Sequence, residues 1–237
     1  MKPVSNPDVD DFCSAECRQG FAEGFLDEFK PSTVAFRFWR QYVLLQDRFL
    51  EIARHIEVNQ ANMDTFSDSL LEFIRSCGGE VDSICKTLLP GDPDEESRMD
   101  RWREHLEEQY ELSSVSLLVP RMSGYVRPFR LFALGRAPAW WESYNATKHR
   151  RATTFEKATL KVGLEILAAL FVLNLIKLRD FFDHWRRSGR IGPRPFDEGL
   201  FQDVERLFYL RGTGIERTEA VLSRLIDFRV IARSRGP

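Results

Sequence analysis

Histidine and cysteine are both scarce, with four of each in 237 residues, and the shortage excludes whole classes of protein. Cysteines at 13, 17, 77 and 85 are too few to staple a chain of this length with disulfides. Cys13-x-x-x-Cys17 has no second pair or histidine cluster to complete a zinc site, so no metal is expected. Cys77 and Cys85 fall within an apolar helical pattern and read as small buried hydrophobes. The chain also lacks a G-x-x-x-x-G-K-[ST] phosphate loop, a G-x-G-x-x-G turn, a G-x-S-x-G elbow and an H-E-x-x-H pair, and no cofactor is expected. Long apolar runs are missing too. The strongest, Ile166 to Ile176, is bracketed by Glu165 and Lys177, too short to span a bilayer, and reads as a central core helix. The N-terminus has early prolines and acids but no apolar signal core, so the expected location is cytoplasmic, with no membrane partner. Charge of one sign is not in excess either, at a net of -2. The local pattern is uneven: 92–111 is acidic and Lys148 to Arg194 is basic, so one side could face an anion.

What is present is helical periodicity. Residues 1–35 form an acidic lead-in broken by Pro3, Pro7 and Pro31. From Phe36 to about Gln60, Trp39, Tyr42, Val43, Phe49, Ile52 and Ile56 recur at three- and four-residue steps, one face of an amphipathic helix. A second helix opens near Thr65-Phe-Ser-Asp68 and carries Leu70, Leu71, Ile74, Val81, Ile84 and Leu88 as far as Pro90. Gly78-Gly79 inside it predicts a kink or a close helix–helix approach. An acidic helix follows over about Asp94 to Leu112, with Met99, Trp102, Leu106 and Tyr110 on its buried side. Residues 113–138 have no helical period and several prolines and glycines, an irregular connection with room for a short strand. A long helix is expected from the capping box Thr153-x-x-Glu156 to near His184-Trp185. Leu200, Val204, Leu207, Phe208 and later apolar positions predict two short helices beyond the basic linker at 186–195. No convincing β-alternation is seen, so the fold class is all-α. The domains are a lead-in over 1–35, a helical bundle over 36–187 and a helical extension over 188–237.

The densest chemistry lies in Pro138-Ala-Trp-Trp-Glu-Ser-Tyr-Asn-Ala-Thr-Lys-His-Arg-Arg151. In a helix Asn145, Lys148 and His149 share a face, being three and four residues apart. RNA can be cleaved by its own 2′-hydroxyl, which needs a proton acceptor, a proton donor and charge on the phosphorane. Histidine suits the proton work and Lys or Arg suits the charge. The catalytic candidates are therefore His149, Lys148 and Asn145, and the nucleic-acid-binding candidates are Tyr144, Arg150 and Arg151. A plainer alternative has Trp140, Trp141 and Tyr144 as core packing and Lys148 to Arg151 as a solvated helix end.

Two blocks give a resemblance. One is Tyr42…Asp47-Arg48-Phe49, Asn62-x-x-Thr65-Phe66-Ser67 and Glu80-Val81-Asp82. The other is Pro128-Phe129…Trp140-Trp141-x-x-Tyr144-Asn145-x-x-Lys148-His149-x-Arg151. Over roughly 36–185 the chain resembles the helical HEPN superfamily, in particular its uncharacterised bacterial members. The resemblance implies an α-helical bundle, often dimeric, and a metal-independent ribonuclease of toxin–antitoxin or phage-defence systems. The partners it implies are RNA or a nucleotide, a protein partner and a second copy of the chain. The family signature is an Arg a few residues before a His near the start of a late helix, and by position His149 is that histidine. The sequence departs from the signature at the Arg, since Glu142, Ser143 and Tyr144 occupy the permitted positions. Asn145 and Lys148 could substitute, or the scaffold could persist without catalysis. Arg179-Asp-Phe-Phe-Asp-His184 also fits the spacing and makes Arg179 and His184 a second candidate pair, although His184 could equally be a helix-terminal cation. The non-catalytic alternative is a helical module that binds nucleotide, RNA or a protein through the same basic surface.

Overall fold

In a computed structural model of the chain, residues 34–89, 99–149, 151–187 and 207–210 are described. The described part is mostly helical. Helix α1 is Val34–Ile52, α2 is Asp68–Leu88, α3 is Met99–Tyr110, α4 is Ala139–His149, α5 is the short Arg151–Thr154 and α6 is Leu160–Arg187. A small antiparallel sheet of order β2-β1-β3 joins Leu117–Val119 (β1), Gly124–Val126 (β2) and Tyr209–Leu210 (β3). Cys13 and Cys17 lie outside the described residues, as do the helices expected over 200–206 and after 210.

Helices α1, α2 and α6 pack on one another, and α4 lies against both α2 and α6. The apolar stripes read from the sequence face this core. Tyr42 and Phe49 of α1, Leu70, Leu71, Ile74, Val81 and Ile84 of α2, and Leu160, Leu164, Leu167, Leu170 and Leu173 of α6 are all buried. Removing this apolar surface from water is the main favourable term holding the bundle together. Cys77 and Cys85 are buried free thiols of α2, and burial pushes both well above the ordinary thiol range, which leaves them inert as nucleophiles. No helix among the described residues is long and apolar enough to cross a membrane.

Several boundaries differ from expectation, each for a local reason. Helix α1 stops at Ile52 instead of near Gln60. The chain continues through turns to a short 3-10 helix at Gln60–Asn62, where Asn59 accepts from the Asn62 backbone N–H at 3.1 Å. Ile56 still packs against the core from outside the helix, which is why it stayed in the apolar period. Helix α2 starts where the cap signal put it, with Ser67 Oγ accepting from Leu70 N at 3.2 Å.

The long helix starts at Leu160, not at the Thr153-x-x-Glu156 box. Thr154 Oγ1 donates back to Ala146 O at 3.0 Å, and Phe155–Lys157 is a 3-10 turn. The first N–H groups of α6 find partners in Thr159 Oγ1, Thr65 O and Met63 O, so its start is pinned to the entry of α2. The small sheet departs from a purely helical fold. Leu117 pairs with Val126 on one side and Leu210 on the other. Leu207 and Phe208, expected in a helix, lead into β3, and both are buried, with Phe208 5.8 Å from Phe171 ring to ring.

One core position is poorly matched to its surroundings. Asn174 of α6 is fully buried; its Nδ2 donates to Leu170 O at 2.9 Å, and its Oδ1 has no partner among the described residues. A buried acceptor left unpaired costs about 1–3 kcal/mol, whereas an apolar group of the same shape does not incur that cost. Asn174→Leu should therefore raise stability by about 1 kcal/mol in urea denaturation. A loss of that size would show that Oδ1 is satisfied in the native protein.

Candidate functional site

Pro138 sets the entrance of α4 and its carbonyl accepts from Trp141 N and Glu142 N, opening the helix. Trp140 is fully buried and its Nε1 donates to Pro128 O at 2.7 Å. Trp141 is half-buried and meets Trp102 edge-on at 5.5 Å and Trp140 at 6.1 Å. The two tryptophans fix the N-terminal half of α4 against the loop after β2 and against α3.

The next turn carries Tyr144, a buried residue only 5 % exposed. It lies 5.3 Å from Trp141 and covers Gly78 of α2 so closely that a Cβ there would fall inside the ring's van der Waals envelope. Of the two outcomes open for Gly78-Gly79, the structure takes the close approach: α2 runs unbroken from Asp68 to Leu88. Gly79 has open space where its Cβ would be. Lys148, one turn further on, is exposed and holds its ammonium 5.5 Å from the Tyr144 ring centre, a cation–π contact. No described carboxylate forms an ion pair with Lys148.

Between α2 and α4 lies an open cleft of about 360 Å³ lined by Glu72, Arg75, Ser76, Tyr144 and Lys148. Arg75 and Glu72 face each other across 3.6 Å, with side chains 40 % and 45 % exposed. Ser76 Oγ donates to Glu72 O within the helix. Two cations from two different helices thus share a solvent-open depression, an arrangement suited to an anion and above all to a phosphate oxygen.

Of the residues singled out from the sequence, Tyr144 and Lys148 line this cleft. Asn145 is half-buried on α4, and His149 is exposed as its final residue; neither lines the cleft. Lys148 and His149 sit in the last turn of α4, where cations are favoured by the helix dipole. Arg150 lies outside the described residues, and the side chains of Arg151, Arg179 and His184 do as well. Among the described residues no cluster of three or more His, Cys, Asp or Glu could hold a metal ion. Sequence reasoning missed Arg75, Ser76 and Glu72, which look like ordinary solvated positions on α2. The one available signal was Gly78, a single helical turn beyond Arg75, announcing that another element comes close there.

The chain matches no protein-family model, no curated protein and no solved structure.

Proposed function

We propose that this chain is a HEPN-like helical domain whose α2–α4 cleft binds RNA or a nucleotide through phosphate. The observation that carries the reading is the pairing of Arg75 and Lys148 across the cleft, one cation from each helix. Lys148 rests on a Tyr144 ring that is itself seated on Gly78, so the ammonium is positioned before any ligand arrives. Preorganisation of this kind lowers the entropy lost on binding. Binding of single-stranded RNA, followed by fluorescence anisotropy, should weaken steeply with salt. Lys148→Ala should reduce affinity roughly tenfold and make the salt slope shallower by about one. An affinity and slope unchanged by that substitution would refute the reading.

A second reading is metal-independent RNA cleavage in a toxin or phage-defence setting. What favours it is the exposed His149 beside Lys148 at the end of α4, within reach of solvent and of a substrate held by the neighbouring cation. Here His149 does acid–base work on the 2′-hydroxyl and the leaving oxygen. RNA should then be cut in the presence of EDTA, and His149→Ala should abolish cutting while leaving the thermal melt unchanged. Binding without any cutting leaves the domain a non-catalytic module.

A further inference from the structure

We infer that Phe66 and Phe155 form a stacking platform for an unpaired nucleobase beyond the end of the α2–α4 cleft, which makes single-stranded RNA the ligand. This rests on the reading of the cleft as a phosphate site. Helices α2 and α4 run antiparallel: Tyr144 covers Gly78, and Lys148, four residues on, lines the cleft with Glu72 and Arg75. The C-terminal end of α4 therefore points toward the start of α2, where Phe66 precedes the cap residue Ser67. Phe155 arrives at the same place along a different path. Its neighbour Thr154 donates to Ala146 O of α4 at 3.0 Å, and Thr159, four residues on, forms an antiparallel bridge with Phe66. The two rings meet edge-on at 5.5 Å.

An apolar residue just before a helix cap often folds onto the first turn as a staple. Phe66 does so incompletely, since it stays 47 % exposed. Phe155 is half-buried and packs on the core, so it holds the Phe66 ring in place while leaving much of that ring to solvent. A fixed aromatic face of this kind stacks on any base. The patch is one exposed ring and one half-buried ring, far short of the roughly 800 Å² that each partner buries in a stable protein interface, and it suits a small planar group. Its distance from the cations fits the same ligand. Asp68, the first residue of α2, is about 10 Å from Arg75 along the helix axis, the length of about three stacked nucleotides at 3.4 Å each. A strand with a phosphate at Arg75 and Lys148 thus brings a base to Phe66 within two or three nucleotides.

The test uses two labelled probes of equal length and charge, a short oligouridylate and the same ribose-phosphate chain without bases. Each is titrated into the full chain at low ionic strength and followed by fluorescence anisotropy. The parent protein should prefer the oligouridylate by roughly tenfold, the effect of stacking one base. Phe66→Leu keeps an apolar staple but removes the flat face, and a thermal melt checks that the fold is unchanged. It should bring the oligouridylate down to the level of the abasic chain and leave the abasic affinity as it was. Phe66→Trp should keep the preference or raise it. No preference in the parent, a preference that survives Phe66→Leu, or an equal loss for both probes would overturn the platform; the phosphate site itself would stand if Lys148→Ala still weakened both. If neither probe bound, or if Lys148→Ala changed neither affinity, the phosphate reading would fail and the platform with it.

Discussion

Trp140→Ala is expected to be among the most destabilising single substitutions in the described core, costing about 4–5 kcal/mol and lowering the melting temperature by about 10–15 °C. The indole is fully buried, and truncating a buried Trp alone costs about 3–5 kcal/mol through lost transfer energy and the cavity left behind. It also leaves Pro128 O without the 2.7 Å donor it has from Trp140 Nε1, and an unpaired buried carbonyl adds to the cost. The cavity cannot close easily, because Phe129 at 6.1 Å and Trp141 at 6.1 Å both lean edge-on against the missing ring. Trp140→Phe separates the two contributions: it retains most of the packing and removes the donor, so it should cost only about 1–3 kcal/mol. Urea denaturation of the two variants checks the ordering. Similar costs for both would mean that the hydrogen bond, not the ring's bulk, fixes the entrance of α4.

How far the fold was legible depended on whether the cause was local. The start of α2 is written in Ser67 and its apolar face in the Leu70-to-Ile84 period, and both hold in the structure. The start of α6 is not local. The Thr153-x-x-Glu156 box has the right residues, but Thr154 bonds back to Ala146. The true first turn is held by carbonyls of Met63 and Thr65, far away in sequence and invisible to a cap rule.

Two of the three strands fall in 113–138, where the sequence left room for a short strand, but their pairing and the third strand were not legible, because strands of two or three residues are too short to display alternation. The same division runs through the site. Tyr144 and Lys148 stood out in a conspicuous segment, whereas Arg75 and Glu72 belong to an exposed helix face that reads like any other until a second helix is placed beside it. Trp140, Trp141 and Tyr144 also follow the plainer alternative in part, since their rings build the packing that carries Lys148. Packing and site are one construction here.

That dependence makes adjacent glycines behave oppositely. Gly78→Ala should destabilise the protein by about 2 kcal/mol, whereas Gly79→Ala should stabilise it by up to about 1 kcal/mol. Both gain the same helix propensity, since glycine is about 1 kcal/mol worse than alanine inside a helix. The difference lies in what the new methyl meets. At Gly79 it meets open space, and at Gly78 it meets the Tyr144 ring. The ring cannot retreat, being buried and backed by Trp141 at 5.3 Å, so α4 must shift away from α2, and overpacking of this kind typically costs about 1–3 kcal/mol or more. A double-mutant cycle with Tyr144→Ala isolates the contact. Removing the ring eliminates the clash, so the pair should cost less than the sum of the single substitutions by about 3 kcal/mol, the whole of the clash. Additive costs would show that Gly78 is needed for some other reason. The displacement should also reach the cleft, because Lys148 rides on the same ring. RNA affinity measured at a temperature where both glycine variants are fully folded should fall in Gly78→Ala and stay at the parent value in Gly79→Ala. Equal affinities would separate the stability of the α2–α4 contact from the positioning of Lys148, and would leave Arg75 as the cation on which binding rests.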